Sequence, residues 1–209
     1  MRIEALLKRA YPVLPLLQID KLSQAIPLAV ALHEGGLSVL EVALRTPQAL
    51  AALTAIRKAL PQLCVGVGSL TSAAQFQQAL DAGAQFAVSP GFSRNLAEAA
   101  ADSGLPWLPA AMTPSEVLRV QQAGFRCIKL FPACVGGTPL GFLQSLLAAF
   151  PELGFCPTGG IAMADLPILL KRPNVACVGG SLICPPDLIR AGDFVQIRQL
   201  ARQARALVV

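Results

Sequence analysis

Histidine is almost missing from this 209-residue chain: His33 is the only one. Zinc sites usually draw on imidazoles or on closely spaced cysteines. The six cysteines (Cys64, Cys127, Cys134, Cys156, Cys177 and Cys184) never form a C-x-x-C pair, and His33 falls on a predicted helix far from all of them. No metal site is expected. With one imidazole available, catalysis is expected to rest on lysine and carboxylate. The thiols sit mostly inside short apolar runs and read as buried free cysteines of a reduced compartment, not as a disulfide framework.

Aromatic residues make up only 5% of the chain, and Trp107 and Tyr11 are too few and too scattered to stack bases. Basic residues are spread out, with a modest cluster at Arg198, Arg202 and Arg205. The net charge of +5 therefore does not point to nucleic acid, which would want a basic stripe. Charged residues are also scarce, at 14% against 54% hydrophobic, and the mean hydropathy of +0.58 raises the question of a membrane. The two long uncharged windows, 59–80 and 130–151, are interrupted by Pro, Gly, Gln, Ser or Thr. Neither offers the ~18 consecutive apolar residues of a span. The first ten residues carry Glu4, Lys8 and Arg9 where a secretory leader needs an unbroken apolar stretch. A cytoplasmic protein with no membrane partner is expected, and so apolar a composition excludes a disordered chain.

Short apolar runs alternate with segments whose apolar residues recur every three to four positions. Candidate strands lie at 13–19, 39–44, 64–68, 86–89, 107–110, 127–130, 154–157 and 175–178. Helical segments between them end on glycine in "LHEGG", "LDAGA", "ADSG" and "QQAGF", the residue that tolerates a left-handed stop. Regular alternation of strand and helix predicts parallel strands joined by helical crossovers. Eight units predict an α/β fold of the (β/α)8 TIM-barrel type, with residues 1–209 forming one compact domain. An open doubly wound sheet is the alternative, but the first strand runs into "QIDKLS" without the glycine turn such a sheet normally shows. In a barrel the loops after the strands meet at one rim, where active sites lie.

Of five lysines, only Lys129 stands in a strand, within "CIKLFPA". Alternate residues of a strand share a face, so Cys127, Lys129 and Phe131 point one way, and the barrel interior follows if Ile128 and Leu130 face the helices. A buried ammonium must find a partner or give up its proton. A neutral amine there would be a Schiff-base nucleophile; a head group that reaches rim water is the plainer alternative. Glu41 is the only acid in "SVLEVALRT", and alternation puts Val39, Glu41, Ala43 and Arg45 on one face. Glu41 and Arg45 could simply satisfy each other. Equally, the carboxylate could reach a carbon beside a lysine imine while the Arg45 fork holds a substrate carboxylate. Two glycine turns, "CPTGGI" and "VGGSLI", follow the last two strands, the recurrent phosphate position of this fold.

"VLEVALRT", "GVGSL", "GAQFAVSPG", "IKLFPA", "CPTGGI" and "VGGSLI", in that order over nearly the whole chain, resemble the 2-keto-3-deoxy-6-phosphogluconate (KDPG) aldolase family, whose members often also split 4-hydroxy-2-oxoglutarate (KHG). The resemblance implies a class I aldolase that needs no cofactor or metal, with Lys129 as the Schiff-base lysine and Glu41 as the general acid/base. It further implies that Arg45, helped by Ser69, holds the carboxylate, that Phe131 packs near the imine, and that Pro90 belongs to the substrate site. Thr158, Gly159, Gly160, Gly180 and Ser181 would line the phosphate end. The implied partner is a small 2-keto acid or phosphorylated sugar acid, and the implied assembly a homotrimer. Three departures stand out: Ser69 in place of a more usual Thr, Ala110 and Ala111 where Gly and a larger residue are common, and Cys134 where Glu often follows "FPA". These bear on substrate preference, so a phosphogalactonate substrate stays open beside phosphogluconate. A phosphosugar isomerase or epimerase, and a barrel that binds a phosphorylated metabolite without cleaving it, are the alternatives from other classes.

Overall fold

A computed structural model describes residues 2–134 and 139–207. Among the described residues nine strands form: β1 Val13–Leu17, β2 Val39–Ala43, β3 Cys64–Gly68, β4 Ala87–Val88, β5 Trp107–Leu108, β6 Ala110–Ala111, β7 Cys127–Leu130, β8 Gly154–Pro157 and β9 Val178–Gly180. All pairings are parallel, in a six-stranded sheet of order β5-β4-β3-β2-β1-β9 and a three-stranded sheet of order β6-β7-β8. Isolated parallel bridges join Thr158 to Gly179 and Phe155 to Val175. The fold is thus α/β with parallel strands.

The differences from the predicted strands have local causes. The expected strand 107–110 is split at Pro109, which has no N–H to give to a ladder. Its carbonyl still accepts from the Lys129 backbone N–H at 2.9 Å, at the point where the chain passes from pairing with β4 to pairing with β7. The last strand begins at Val178 rather than Val175, and the first ends at Leu17.

Strand alternation sorts the buried side chains into two bodies. Leu40, Val42, Val65, Val67, Ile128 and Leu130 face the helices. Leu14, Val39, Cys64, Phe86, Cys127 and Cys156 turn to the other side, where the helix Ile3–Ala10 joins them through Ile3, Leu6, Leu7 and Ala10. That helix was not among the predicted ones; it plugs the interior at the N-terminal ends of the strands.

Helix termini follow their sequence signals. Thr113 caps the helix Pro114–Gln122, and Glu116 accepts from the backbone N–H groups of Thr113 and Met112 at 2.9 and 2.8 Å, a capping box. Those donors hold the Glu116 carboxyl below the ordinary carboxylate range. The last helix, Phe194–Ala206, lies against the first crossover helix, Ala25–Glu34, so closely that a Cβ on Gly35 would overlap Ala201.

Candidate active site

Lys129 and Glu41 reach the interior from strands that do not pair. Lys129 stands in register between Ala110 and Cys156, and Glu41 between Leu16 and Gly66. Their long side chains extend toward each other, and Lys129 Nζ lies 3.8 Å from Glu41 Oε1. Lys129 is 3% exposed and Glu41 2%. The ammonium therefore does not reach rim water. Nor is Glu41 matched with Arg45; its ion partner is Lys129.

Small residues make this meeting possible. Ala43, Gly68 and Ala110 flank the two chains on the same face, and a Cβ added to Gly68 would overlap the Glu41 carboxylate. Gly68→Ala should therefore push Glu41 off its position. The expected cost is about 1–3 kcal/mol, the range for overpacking a filled interior, with a drop in turnover. Thermal unfolding and an activity assay on the same sample check it; an unchanged Tm and rate would show that the carboxylate does not depend on this gap.

Burial raises the Glu41 carboxyl above its ordinary value, against the opposing pull of Lys129 and, more weakly, of Arg45. Among the described residues its Oε1 has no hydrogen-bond partner, and 3.8 Å is too long for one, so its attraction to Lys129 is Coulombic. The Phe131 ring lies on the other side of Nζ, 5.2 Å from centroid to nitrogen, within range of a cation–π contact.

A cavity of about 340 Å³ opens at Lys129; Glu41, beside the lysine, is not among its lining residues. Eight of the predicted residues line it: Arg45, Lys129, Phe131, Thr158, Gly159, Gly160, Gly180 and Ser181. Arg45 is exposed, makes no ion pair among the described residues, and donates to Ser69 Oγ at 3.5 Å. Pro90 lies elsewhere, in a neighbouring cavity of about 300 Å³ that shares Phe131 with the first. A larger groove of about 690 Å³ runs between the helices Arg94–Ser103 and Pro114–Gln122. It holds neither Lys129 nor Glu41, so chemistry rather than size selects the site.

The two glycine turns lie on the same cavity wall, joined by the Thr158–Gly179 bridge. Gly160 has φ +72°, and a Cβ there would press on Cys134. Gly180 has φ +143°. Both conformations favour glycine, and the backbone is thereby bared toward the cavity. Five lining residues were not among the predicted site residues: Leu16, Ile161, Gly179, Leu182 and Pro185. Ile161, Gly179 and Leu182 stand inside the two glycine turns, and Leu16 shares the inward face with Leu14. Among the described residues, no group of three or more His, Cys, Asp or Glu side chains is placed to hold a metal ion.

The arrangement brings together a buried lysine, a buried carboxylate, an exposed arginine and a glycine-rich wall. Comparison with known proteins points to one family. The family described as aldolase, KDPG and KHG aldolase, matches residues 3–200. The KHG/KDPG aldolase of Escherichia coli is 41% identical over 193 residues, 92% of this chain and 90% of that one. A KDPG aldolase from Legionella pneumophila, solved with pyruvate captured at low pH as a covalent carbinolamine intermediate, superposes with a TM-score of 0.91 at 39% identity, covering 96% of this chain and 97% of the other. The KDPG aldolase of Zymomonas mobilis, solved with 3-phosphoglycerate, gives a TM-score of 0.89 at 40% identity and covers 99% and 97%.

Proposed function

The chain belongs to the KDPG and KHG aldolase family, and from that premise we propose that it is a class I aldolase cleaving 2-keto-3-deoxy-6-phosphogluconate to pyruvate and glyceraldehyde 3-phosphate, with Lys129 forming the Schiff base and Glu41 moving the proton. The observation that carries this reading is the 3.8 Å approach of a buried amine and a buried carboxylate beside a cavity that is open to a small anion. KHG, which would give pyruvate and glyoxylate, fits the same chemistry because it shares the 2-keto acid end.

The free amine of Lys129 attacks the C2 ketone, and loss of water from the carbinolamine leaves an iminium. Glu41, the nearest proton acceptor to Nζ, then takes the proton of the C4 hydroxyl. The C3–C4 bond breaks, its electrons flow into the iminium, and the aldehyde leaves. The enamine that remains is protonated at C3 and hydrolysed to pyruvate, freeing Lys129. The iminium is the electron sink, so every step is carried by groups of this chain. Arg45, which reaches Ser69 Oγ at 3.5 Å, would hold the carboxylate through its planar fork. Thr158, Gly159, Gly160, Gly180 and Ser181 would hold the phosphate end, where bare backbone suits an anion. Phe131 would wall the imine, and Pro90, in the adjoining cavity, would bound the substrate only by way of Phe131.

The wider reading goes with it. Residues 1–209 would form one domain whose two sheets are a single closed eight-stranded barrel. The Thr158–Gly179 bridge between β8 and β9, and the break at Pro109 between β5 and β6, support that closure. A homotrimer in the cytoplasm is the matching assembly; no helix among the described residues is long and apolar enough to cross a membrane.

Incubation with pyruvate and borohydride, followed by peptide mass spectrometry, tests the site. One reduced pyruvate adduct per chain is expected, on the peptide containing Lys129. An adduct on another lysine, or none, overturns the assignment; an isomerase or a barrel that only binds phosphate would give none. Coupled detection of pyruvate release from phosphogluconate, phosphogalactonate and hydroxyoxoglutarate substrates then ranks the choices.

A further inference from the structure

Four of the six thiols, Cys64, Cys127, Cys156 and Cys177, are packed inside among the strands, and the chemistry above uses none of them. Two form a pair. Cys156 on β8 and Cys177, one residue before β9, bring their Sγ atoms to 3.6 Å, and both are fully buried. Neighbouring strands stand about 4.8 Å apart, inside the Cα separation of roughly 4.4–6.8 Å that a disulfide spans. From 3.6 Å the sulfurs must approach by about 1.5 Å to reach the S–S bond length of roughly 2.05 Å.

The pair lies under the catalytic lysine. Cys156 is the register neighbour of Lys129, and its Sγ is 3.8 Å from Thr158 Oγ1, a group of the cavity wall. Gly179 lines the same cavity, and a Cβ added there would lie 3.2 Å from Cys156 Sγ. Cys156 itself is 1% exposed and does not line the cavity, so an oxidant must pass the Thr158–Gly179 wall to reach it. Its environment also divides the two roles a thiol pair needs. The hydrogen bond with Cys177, then the Lys129 charge and the Thr158 hydroxyl, pull the Cys156 thiol below its ordinary value against the cost of burial, whereas the same partner and burial hold Cys177 well above. The thiolate is the form that attacks.

We propose that Cys156 is a site of oxidation by hydrogen peroxide entering through the substrate cavity, and that Cys177 resolves the product to a Cys156–Cys177 disulfide that shuts the site. The Cys156 thiolate attacks one peroxide oxygen, the O–O bond breaks, and the leaving hydroxide takes up the thiol proton as water. The sulfur is then a sulfenic acid. Cys177 sulfur attacks it, the S–O bond breaks, and the hydroxyl leaves with the Cys177 proton as a second water. Two thiols and one peroxide give one disulfide and two waters; a dithiol reductant reverses the step. Closing the bond shifts Cys156, the register neighbour of Lys129, and so disturbs the packing under the lysine.

The test is to expose the reduced full-length protein to hydrogen peroxide, block free thiols with an alkylating agent, and map peptides. A linked Cys156–Cys177 peptide is expected, with pyruvate release down about tenfold or more, as small displacements at a site produce, and restored by dithiothreitol. Cys177→Ser should stop at a sulfenic acid on Cys156, captured by a dione probe, and Cys156→Ser should retain its own untreated rate in peroxide. Oxidation confined to half-buried Cys134, or equal inactivation of Cys156→Ser, overturns the proposal. So does a linked peptide with unchanged turnover. Should Cys156→Ser fold poorly, the peptide map of the unsubstituted chain decides alone, and that map does not depend on the aldolase reading.

Discussion

Lys129→Met should abolish pyruvate release, a loss on the order of 10⁴-fold or more, because removing a covalent nucleophile leaves only binding to act on the substrate. Methionine follows the lysine stem closely and adds no polar group, so the interior between Ala110 and Cys156 stays filled. Removing one partner of a buried pair ordinarily leaves an uncompensated charge. Here burial already raises the Glu41 carboxyl, and loss of the Lys129 attraction raises it further, so Glu41 can take up a proton instead of staying charged. The variant should therefore fold, as circular dichroism and thermal unfolding would show, while giving no borohydride adduct. Lys129→Arg separates charge from nucleophilicity: it keeps a cation opposite Glu41 and supplies no amine. If the pair existed only to hold the strands together, the arginine variant would keep its turnover. Loss of turnover in both variants assigns the amine a chemical role.

The two residues at the centre of this argument were visible in the sequence because each is a lone charge in an apolar strand. Alternation then placed both on one face, and the structure puts Glu41 and Lys129 in the interior with Leu40, Val42, Ile128 and Leu130 against the helices. Alternation could not choose the partner of Glu41. Arg45 follows the same strand and lies in the turn just beyond it, whereas Lys129 comes from a strand that does not pair with it, and that distance depends on how the sheets curve. Gly68 shows the same limit: a glycine in a strand reads as a weak spot, and its reason, room for a carboxylate, exists only in three dimensions. The Ile3–Ala10 helix was missed for another cause. Glu4, Lys8 and Arg9 drew the eye, although Ile3, Leu6, Leu7 and Ala10 share one helical face and are buried. Pro90 sits apart from the lysine cavity because Phe131 stands between, a partition made by one side chain that no motif encodes.

Glu41→Gln should keep the borohydride adduct and lose turnover by about 10²–10⁴-fold, the usual reach of a positioned general base. The amide has the shape of the carboxylate and fits beside Gly68, so imine formation at Lys129 needs no rearrangement, but it cannot take the C4 hydroxyl proton. The pH profile sharpens the test. Glu41 acts as a base only when ionised, and burial raises it above the ordinary value of 4.5. The acidic limb of kcat/KM, which reports the free protein, should therefore fall at a higher pH than a surface carboxylate would give, and should vanish in the glutamine variant. The same shift sets a stability slope of known sign. Between 4.5 and its folded value, Glu41 binds more protons in the folded chain than in the unfolded one, so unfolding free energy falls as pH rises through that window. The contribution is complete below 4.5 and gone above the folded value; Glu41→Gln should remove that part of the slope. Urea unfolding across the window measures it, and a variant with the parent's slope and rate would return Glu41 to a purely structural place.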